Sequence, residues 1–287
     1  MGRIAYVNGR FVPHSEAVVH IEDRGYQLAD AVYEVWALFD GKLADAEGHF
    51  ARLERSLGEL SIPMPMTRVA LTLVLKEAVR RNRVREGSIY LQVSRGVAPR
   101  QHAYPSDPLR PAVIMTVSRV DRVADELRAA KGVSVLTVPE NRWGRADIKT
   151  VGLLPNAMAK QKAKEAGAME AWFVDDLGFV TEGASSNAWI VDSDGRLRTR
   201  DTNANILRGI TRHTLLKIIG REDLPVDERP FTPAEAIAAK EAFITGAGSL
   251  VLPVIAVDGK PVGEGSPGPV ATRLRRLYIE QAKAAAI

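Results

Sequence analysis

The 287-residue chain contains no cysteine. This excludes a disulfide framework, a thiolate nucleophile and a Cys-based zinc site, and it fits a reducing compartment. No apolar run approaches the roughly 20 residues that a membrane-crossing helix needs. The N-terminus, Met1-Gly2-Arg3-Ile4-Ala5-Tyr6, lacks the apolar core of a signal peptide, so a cytoplasmic protein is the expectation. No serine stands in a Gly-x-Ser-x-Gly elbow, no Walker-type loop is present, and the histidines have no metal-like spacing. Internal repeats and low-complexity tracts are also missing.

What is present is an ordinary globular composition, with 46% hydrophobic and 26% charged residues, in a chain long enough for one large domain or two smaller ones. The net charge of +4 and the pI near 9.3 raise the question of nucleic acid. However, the basic residues are dispersed and mixed with acids. The densest cluster, Arg80-Arg81-Asn82-Arg83-Val84-Arg85, ends a helical pattern, where positive charge complements the helix dipole. A basic nucleic-acid-binding protein is therefore the weaker alternative, and the charge is better suited to small anionic molecules.

Asn8-Gly9, between Ile4-Ala5-Tyr6-Val7 and Arg10-Phe11-Val12, is a strong hairpin signal. A second strand pair is expected around Asp40-Gly41, entered by residues 33–39. Phe50, Leu53, Leu57 and Leu60 recur at helical spacing, and Pro63 and Pro65 close that helix. Thr67 caps the next helix, which buries Leu71, Val74, Leu75, Ala78 and Val79. Strands are expected at 88–94, 112–117, 133–138, 171–174, 188–191 and 242–245. A polar linker is expected at about 119–126, a helix capped by Asn156 running to Gly167, a helix from Arg212 to Ile219, and a final helix at about 270–285. Thr232-Pro233-Ala234-Glu235 spells a capping box. The sum is a mixed α/β (α+β) chain of two lobes, divided at 1–120 and 121–287, with hairpin-rich sheets flanked by helices.

An arbitrary lysine or glutamate solvates a surface, but several segments here are distinctive together. They are Glu22-Asp23-Arg24-Gly25-Tyr26-Gln27 with Asp30-Ala31-Val32-Tyr33-Glu34, His49-Phe50-Ala51-Arg52-Leu53, Asp147-Ile148-Lys149, Glu182-Gly183-Ala184-Ser185-Ser186-Asn187, and Leu207-Arg208-Gly209-Ile210-Thr211-Arg212. In this order, nearly end to end, they resemble the fold type IV pyridoxal phosphate (PLP) enzymes. That family includes D-amino acid and branched-chain aminotransferases and aminodeoxychorismate lyase.

The resemblance implies PLP at the interface of two domains, the second carrying Lys149 as the Schiff-base residue. An imine needs a neutral amine, which desolvation or neighbouring positive charge would favour. Glu182 would keep the pyridine nitrogen protonated, so that the ring draws electrons from the substrate. Ser185 and Ser186 would lie against the cofactor. Arg52, the helix N-terminus at Ile210 and Thr211, and the loop Gly246-Ala247-Gly248 would hold its phosphate. Relatives place hydroxyl residues in that last loop, so here only backbone contacts are expected from Gly246 and Ala247. Arg145 is the candidate for the phenolic oxygen.

Substrate choice would rest on Arg95-Gly96-Val97-Ala98-Pro99-Arg100-Gln101-His102. Its Arg-x-His pair resembles the D-amino acid aminotransferases, where Arg100 and His102, from the neighbouring subunit of a homodimer, would join Tyr33 on the substrate α-carboxylate. The expected reaction is amino transfer from a D-amino acid, D-alanine first, to a 2-oxo acid such as 2-oxoglutarate. A branched-chain or (R)-amine aminotransferase and the lyase remain same-fold alternatives.

Overall fold

The computed structural model describes residues 2–202 and 206–287, which form two compact units. The first unit comprises Met1–Asp121, Ile148–Gly152 and Ala285–Ile287, and the second comprises Arg122–Asp147 and Leu153–Ala284.

In the first unit, β1 (Ile4–Val7) and β2 (Arg10–Pro13) form the hairpin that Asn8-Gly9 announces, with both turn residues at positive φ. Asp23 caps the short α1 (Arg24–Leu28) by accepting from the Gly25 amide at 2.8 Å. A second tight turn at Asp40-Gly41 joins β3 (Ala31–Phe39) to β4 (Lys42–Leu43). After α2 (Ala46–Glu59) and α3 (Arg68–Asn82) come β5 (Gly87–Ser94) and β6 (Ala112–Arg119). The six strands lie in the order β2-β1-β6-β5-β3-β4, every pairing antiparallel. One face of this sheet is solvated less than the other. Ile89, Leu91 and Val93 of β5 alternate inward and join Phe50, Leu53, Leu57, Leu71 and Leu75 of the helices in one core. Tyr33, Val35, Tyr90 and Gln92 occupy the intervening, half-buried positions.

The second unit contains α4 (Arg122–Lys131), β7 (Val133–Pro139), α5 (Leu154–Glu165), β8 (Glu170–Val174), β9 (Val180–Gly183), β10 (Asn187–Val191) and β11 (Leu197–Thr199). They are followed by α6 (Ile210–Arg221), β12 (Val226–Glu228), α7 (Pro233–Ala238), β13 (Glu241–Gly246), β14 (Leu250–Val257), β15 (Lys260–Pro261) and α8 (Pro269–Ala284). Its sheet runs β12-β11-β10-β13-β14-β7-β8-β9, with β15 beside β14. Strands β10, β13 and β14 are almost wholly buried, so they read as continuous apolar runs rather than alternating ones.

Some expectations are corrected. The polar stretch at 119–126 is not a linker: β6 extends through Arg119, and α4 starts at Arg122. That helix buries only Ala129, leaves its apolar Val123 and Leu127 exposed, and is supported by Arg122–Asp125 and Arg128–Asp125 pairs. Asn156 does not cap α5. It lies inside the first turn, behind Pro155, and donates its side chain to the Ala184 carbonyl at 2.8 Å. Gly167 does end that region, in the left-handed conformation. Leu60 falls just past α2, and α6 begins two residues before Arg212. The capping box of α7 is formed as spelled, with Thr232 and Glu235 exchanging hydrogen bonds.

Glu241 sets the start of α8, accepting from the amides of Val270 at 2.9 Å and Ala271 at 2.8 Å. Substitution Glu241→Ala leaves those amides without an acceptor and should cost about 1–3 kcal/mol. Thermal melts of the two proteins check this. An unchanged midpoint would mean that water replaces the carboxylate at no cost.

Candidate active site

Period-two alternation along β3 puts Val32, Glu34 and Trp36 on the helix-facing side and Tyr33 on the other. A carboxylate at a core position of a strand needs donors, and α2 supplies them from positions one turn apart. His49 Nδ1 lies 2.7 Å from Glu34 Oε2, and Arg52 donates from Nε to Oε1 at 2.7 Å and from Nη2 to Oε2 at 2.8 Å. Arg52 is thus buried beside the apolar stripe rather than solvated. Burial alone would raise Glu34, but Arg52 and His49 outweigh it and hold the carboxyl well below the usual carboxylate range. His49 is also lowered. Desolvation outweighs the attraction of Glu34, so the ring is neutral and donates from Nδ1.

The segment around Lys149 pairs with the free side of β3. Tyr33 donates its amide to the Lys149 carbonyl at 3.0 Å, Val151 donates to Ala31 at 3.2 Å, and Val32 and Thr150 form a bridge. The Lys149 amide points to Ser56 Oγ of α2 at 3.4 Å. Backbone bonds on both sides therefore fix the half-buried lysine, and its Nζ sits 4.1 Å from the centroid of the Tyr33 ring. Tyr33 in turn stacks on Tyr90 at 5.5 Å. Burial and the neighbouring Tyr33 push the Tyr90 phenol up to about 12, so it stays protonated.

Arg100 and His102 are exposed, and their side chains make no ion pair among the described residues. The backbone behind them is firmly held. Arg24, 2% exposed, reaches the Gln101 carbonyl with Nη1 at 2.7 Å and the His102 carbonyl with Nη2 at 3.5 Å. Its Nε meets Asp30 Oδ2 at 2.7 Å, an oxygen shared with Arg95 Nε at the same distance.

In the second unit Glu182 lies within β9, 4% exposed, rather than in a turn. Arg142 Nη1 donates to its Oε1 at 2.5 Å, Asn187 Nδ2 to its Oε2 at 3.0 Å, and the Leu207 amide approaches both oxygens. Burial pushes the Glu182 carboxyl up against the pull of Arg142. Burial would lower Arg142, but its hydrogen bonds to Glu140 and the attraction of Glu182 raise it, so the guanidinium stays charged. Ser185 and Ser186 both donate to Oε2 of buried Glu170, at 2.6 and 3.1 Å. Arg145 is exposed and paired with Asp147 at 2.9 Å.

Helix α6 begins after Gly209 with no side-chain cap, which leaves the first-turn amides at Ile210 and Thr211 available to an anion. A Cβ on Gly209 would stand 1.9 Å from Asn187 Oδ1, so the entry is packed to the backbone. Thr211 is buried with Oγ1 3.5 Å from the Tyr278 hydroxyl. Gly246 and Ala247, both half-buried, leave the end of β13.

Sequence reasoning did not single out Glu34, Asp30, Arg24, Arg95, Arg142 or Glu170 for a role. The phase of β3 could have exposed Glu34, a carboxylate between inward Val32 and Trp36. Nothing in the local sequence marks Arg142 as the partner of Glu182, which is 40 residues away.

His49 and Glu34 make stability depend on pH in one direction. Both have lowered folded values, so the unfolded chain binds more protons. The stability they supply is complete above the ordinary 6.5 of histidine and is lost as pH falls, first through His49 and then, below 4.5, through Glu34. Melting midpoints from pH 7.5 to 5 should therefore fall, and should fall less steeply in His49→Gln. Parallel curves would remove His49 from this role.

Comparison with known proteins places these features. Residues 31–257 match the family described as amino-transferase class IV. The chain is 41% identical over 268 residues to the D-alanine aminotransferase of Bacillus licheniformis, covering 93% of each. It is 38% identical over 279 residues to that of Staphylococcus haemolyticus, covering 96% of this chain and 97% of the relative. Among solved structures it resembles the branched-chain aminotransferase of the thermophilic archaeon Thermoproteus uzoniensis with norvaline, with a TM-score of 0.84 at 26% identity, covering 98% of this chain and 94% of that one. It also shares the fold of a hypothetical aminotransferase from Mycobacterium tuberculosis in its PLP-bound form, with a TM-score of 0.84 at 22% identity over 98% of this chain and 99% of the other.

Proposed function

The chain belongs to the amino-transferase class IV family, and from that premise we propose that it is a PLP-dependent D-amino acid aminotransferase. It takes the amino group of D-alanine and passes it to a 2-oxo acid such as 2-oxoglutarate, in two half-reactions. The observation that carries the reading is Lys149, half-buried, fastened to β3 by backbone bonds on both sides, with its amine over the Tyr33 ring. The reading also makes the working unit a cytoplasmic homodimer.

The residues present fit the cofactor. The start of α6 after Gly209 has no side-chain cap, so the amides of Ile210 and Thr211 are the donors an anion would take. When bound, PLP supplies an aldehyde that exchanges amino groups and a ring that withdraws electrons from the substrate Cα. Lys149 would hold the cofactor through Nζ, and the same amine would move the proton at the substrate Cα. Glu182, kept in place by Arg142 and Asn187, would hold the pyridine nitrogen protonated. Ile210, Thr211, Gly246 and Ala247 offer amides to the phosphate, and Arg52 offers charge. Ser185 and Ser186, tied to Glu170, form a wall beside the ring. Tyr33, with Arg100 and His102 of the partner subunit's loop, receives the substrate carboxylate.

Two measurements test this. In a single half-reaction, the visible band of the holoenzyme should be lost promptly with D-alanine and persist with L-leucine. Conversion by L-leucine alone would instead favour a branched-chain enzyme. In Glu182→Gln the cofactor should still bind and be trapped on Lys149 by borohydride, while turnover falls about 100-fold, the scale of a lost electrostatic contact. Full turnover would remove Glu182 from its role.

A further inference from the structure

The loop that carries Arg100 and His102 has no regular structure from Arg95 to Pro111 apart from a single bridge, yet its base is bonded like a core element. Segment 22–30 grips it along its length. Arg24 donates its amide to the Gly96 carbonyl at 3.0 Å, Asp23 and Val97 form a bridge, Ala98 donates to the Glu22 carbonyl at 3.3 Å, and Arg95 donates to the Asp30 carbonyl at 3.1 Å. Gly96 is at φ +115°, and a Cβ there would stand 2.3 Å from the Arg110 carbonyl, so the loop's two ends are pressed together.

Inside this frame two guanidinium groups share one carboxylate. Arg95 binds Asp30 through Nε at 2.7 Å and Nη2 at 3.0 Å, and spends its remaining donors on the carbonyls of Leu60 and Ser61. Arg24 takes only Nε to Asp30 and turns its two terminal nitrogens to Gln101 and His102. The Tyr104 ring lies 3.6 Å from the Arg95 guanidinium and 5.9 Å from that of Arg24. The cluster is buried and carries one more positive charge than negative. Such a group is costly unless each donor has an acceptor. Here the acceptors that Arg24 reaches beyond Asp30 are peptide carbonyls of the loop itself, on and beside His102.

We propose that Arg24 is a positioning residue for substrate-carboxylate recognition: anchored by Asp30, it holds the Gln101 and His102 carbonyls and so presets the backbone that presents Arg100 and His102. The proposal rests on the reading that those two side chains receive the carboxylate. An exposed arginine and histidine on a long loop would otherwise have to be ordered each time a substrate arrived, at the expense of affinity. Arg24 touches neither substrate nor cofactor, and its effect is confined to ligands that carry the group the loop reads.

The test compares first half-reactions of the holoenzyme with D-alanine and with D-alaninol, which keeps the amine and the configuration but lacks the carboxylate. Arg24→Lys retains the charge beside Asp30 and loses the two-pronged hold on the carbonyls. The rate constant at limiting D-alanine should fall about tenfold, the scale of one misplaced charge-assisted hydrogen bond. The saturating rate, the bound-cofactor spectrum and the D-alaninol reaction should stay within about twofold. In Arg24→Lys/Arg100→Ala the D-alanine to D-alaninol ratio should equal that of Arg100→Ala alone, because Arg24 acts through the loop.

Equal losses with both substrates, or no loss with D-alanine, would overturn the proposal. If Arg100→Ala leaves the ratio unchanged, the carboxylate reading fails and the proposal with it; if Arg100→Ala lowers the ratio and Arg24→Lys does not, the proposal alone fails. Should Arg24→Lys not fold, Tyr104→Leu takes its place, since Tyr104 is 55% exposed and only backs the guanidinium pair. Its ratio should drop about threefold, the scale of a lost cation–π contact, and an unchanged ratio overturns the proposal.

Discussion

A carboxylate taken out of water must be met by donors, and that single requirement organises four buried clusters of this protein. Glu34 on β3 draws His49 and Arg52 of α2 beneath the first sheet. Asp30 draws Arg24 and Arg95 to the root of the Arg100 loop. Glu182 draws Arg142 and Asn187 across β9 and β10. Glu170 collects Ser185 and Ser186. In each case the acid lies on a strand or a strand-flanking segment, where backbone bonds fix its height. Apart from Asn187 at the start of β10, the partners come from a helix or loop that would otherwise have several ways to lie. The ion pairs thus act less as a source of stability than as a means of fixing which way a side chain faces.

The same requirement explains why the proposed Schiff-base lysine has so little charge around it. Lys149 is placed by peptide bonds to β3, not by a charged partner, and its amine rests on an aromatic face. An aromatic ring contacts the amine without tying it into an ion pair, as a carboxylate at the same distance would. The elements proposed to hold the cofactor phosphate follow a parallel logic. Gly209, Gly246 and Ala247 offer backbone amides rather than hydroxyl side chains. Backbone donors need no rotamer to be ordered.

Much of this could be read beforehand, and the failures have common causes. The hairpins at Asn8-Gly9 and Asp40-Gly41 were legible because only those residues reach positive φ cheaply, and the α7 capping box because its two hydrogen bonds are local. Helix α4 was missed because charge pairs, not an apolar stripe, hold it. Asn156 was misread as a cap because its real partner, the Ala184 carbonyl, lies 28 residues on. Strand β9, with Glu182, was hidden because a short, fully buried strand has no alternation to detect. Family resemblance drew attention to Lys149, Glu182, Arg52 and Thr211, but Arg142, which holds Glu182, had no local mark.

By itself, the sequence determined the elements whose signals are local: tight turns, caps, helix stripes, and the order of the segments that identify the family. Tertiary structure alone decided which acid meets which base. It put Arg52 under Glu34 instead of in solvent, gave Glu182 an arginine 40 residues away, Arg142, and set Arg24 beneath the loop 77 residues away. The reason is physical. Turn and cap preferences arise from a few neighbouring dihedrals, whereas the pairing of buried charge depends on which distant segments the sheets bring within about 3 Å, the reach of a hydrogen bond.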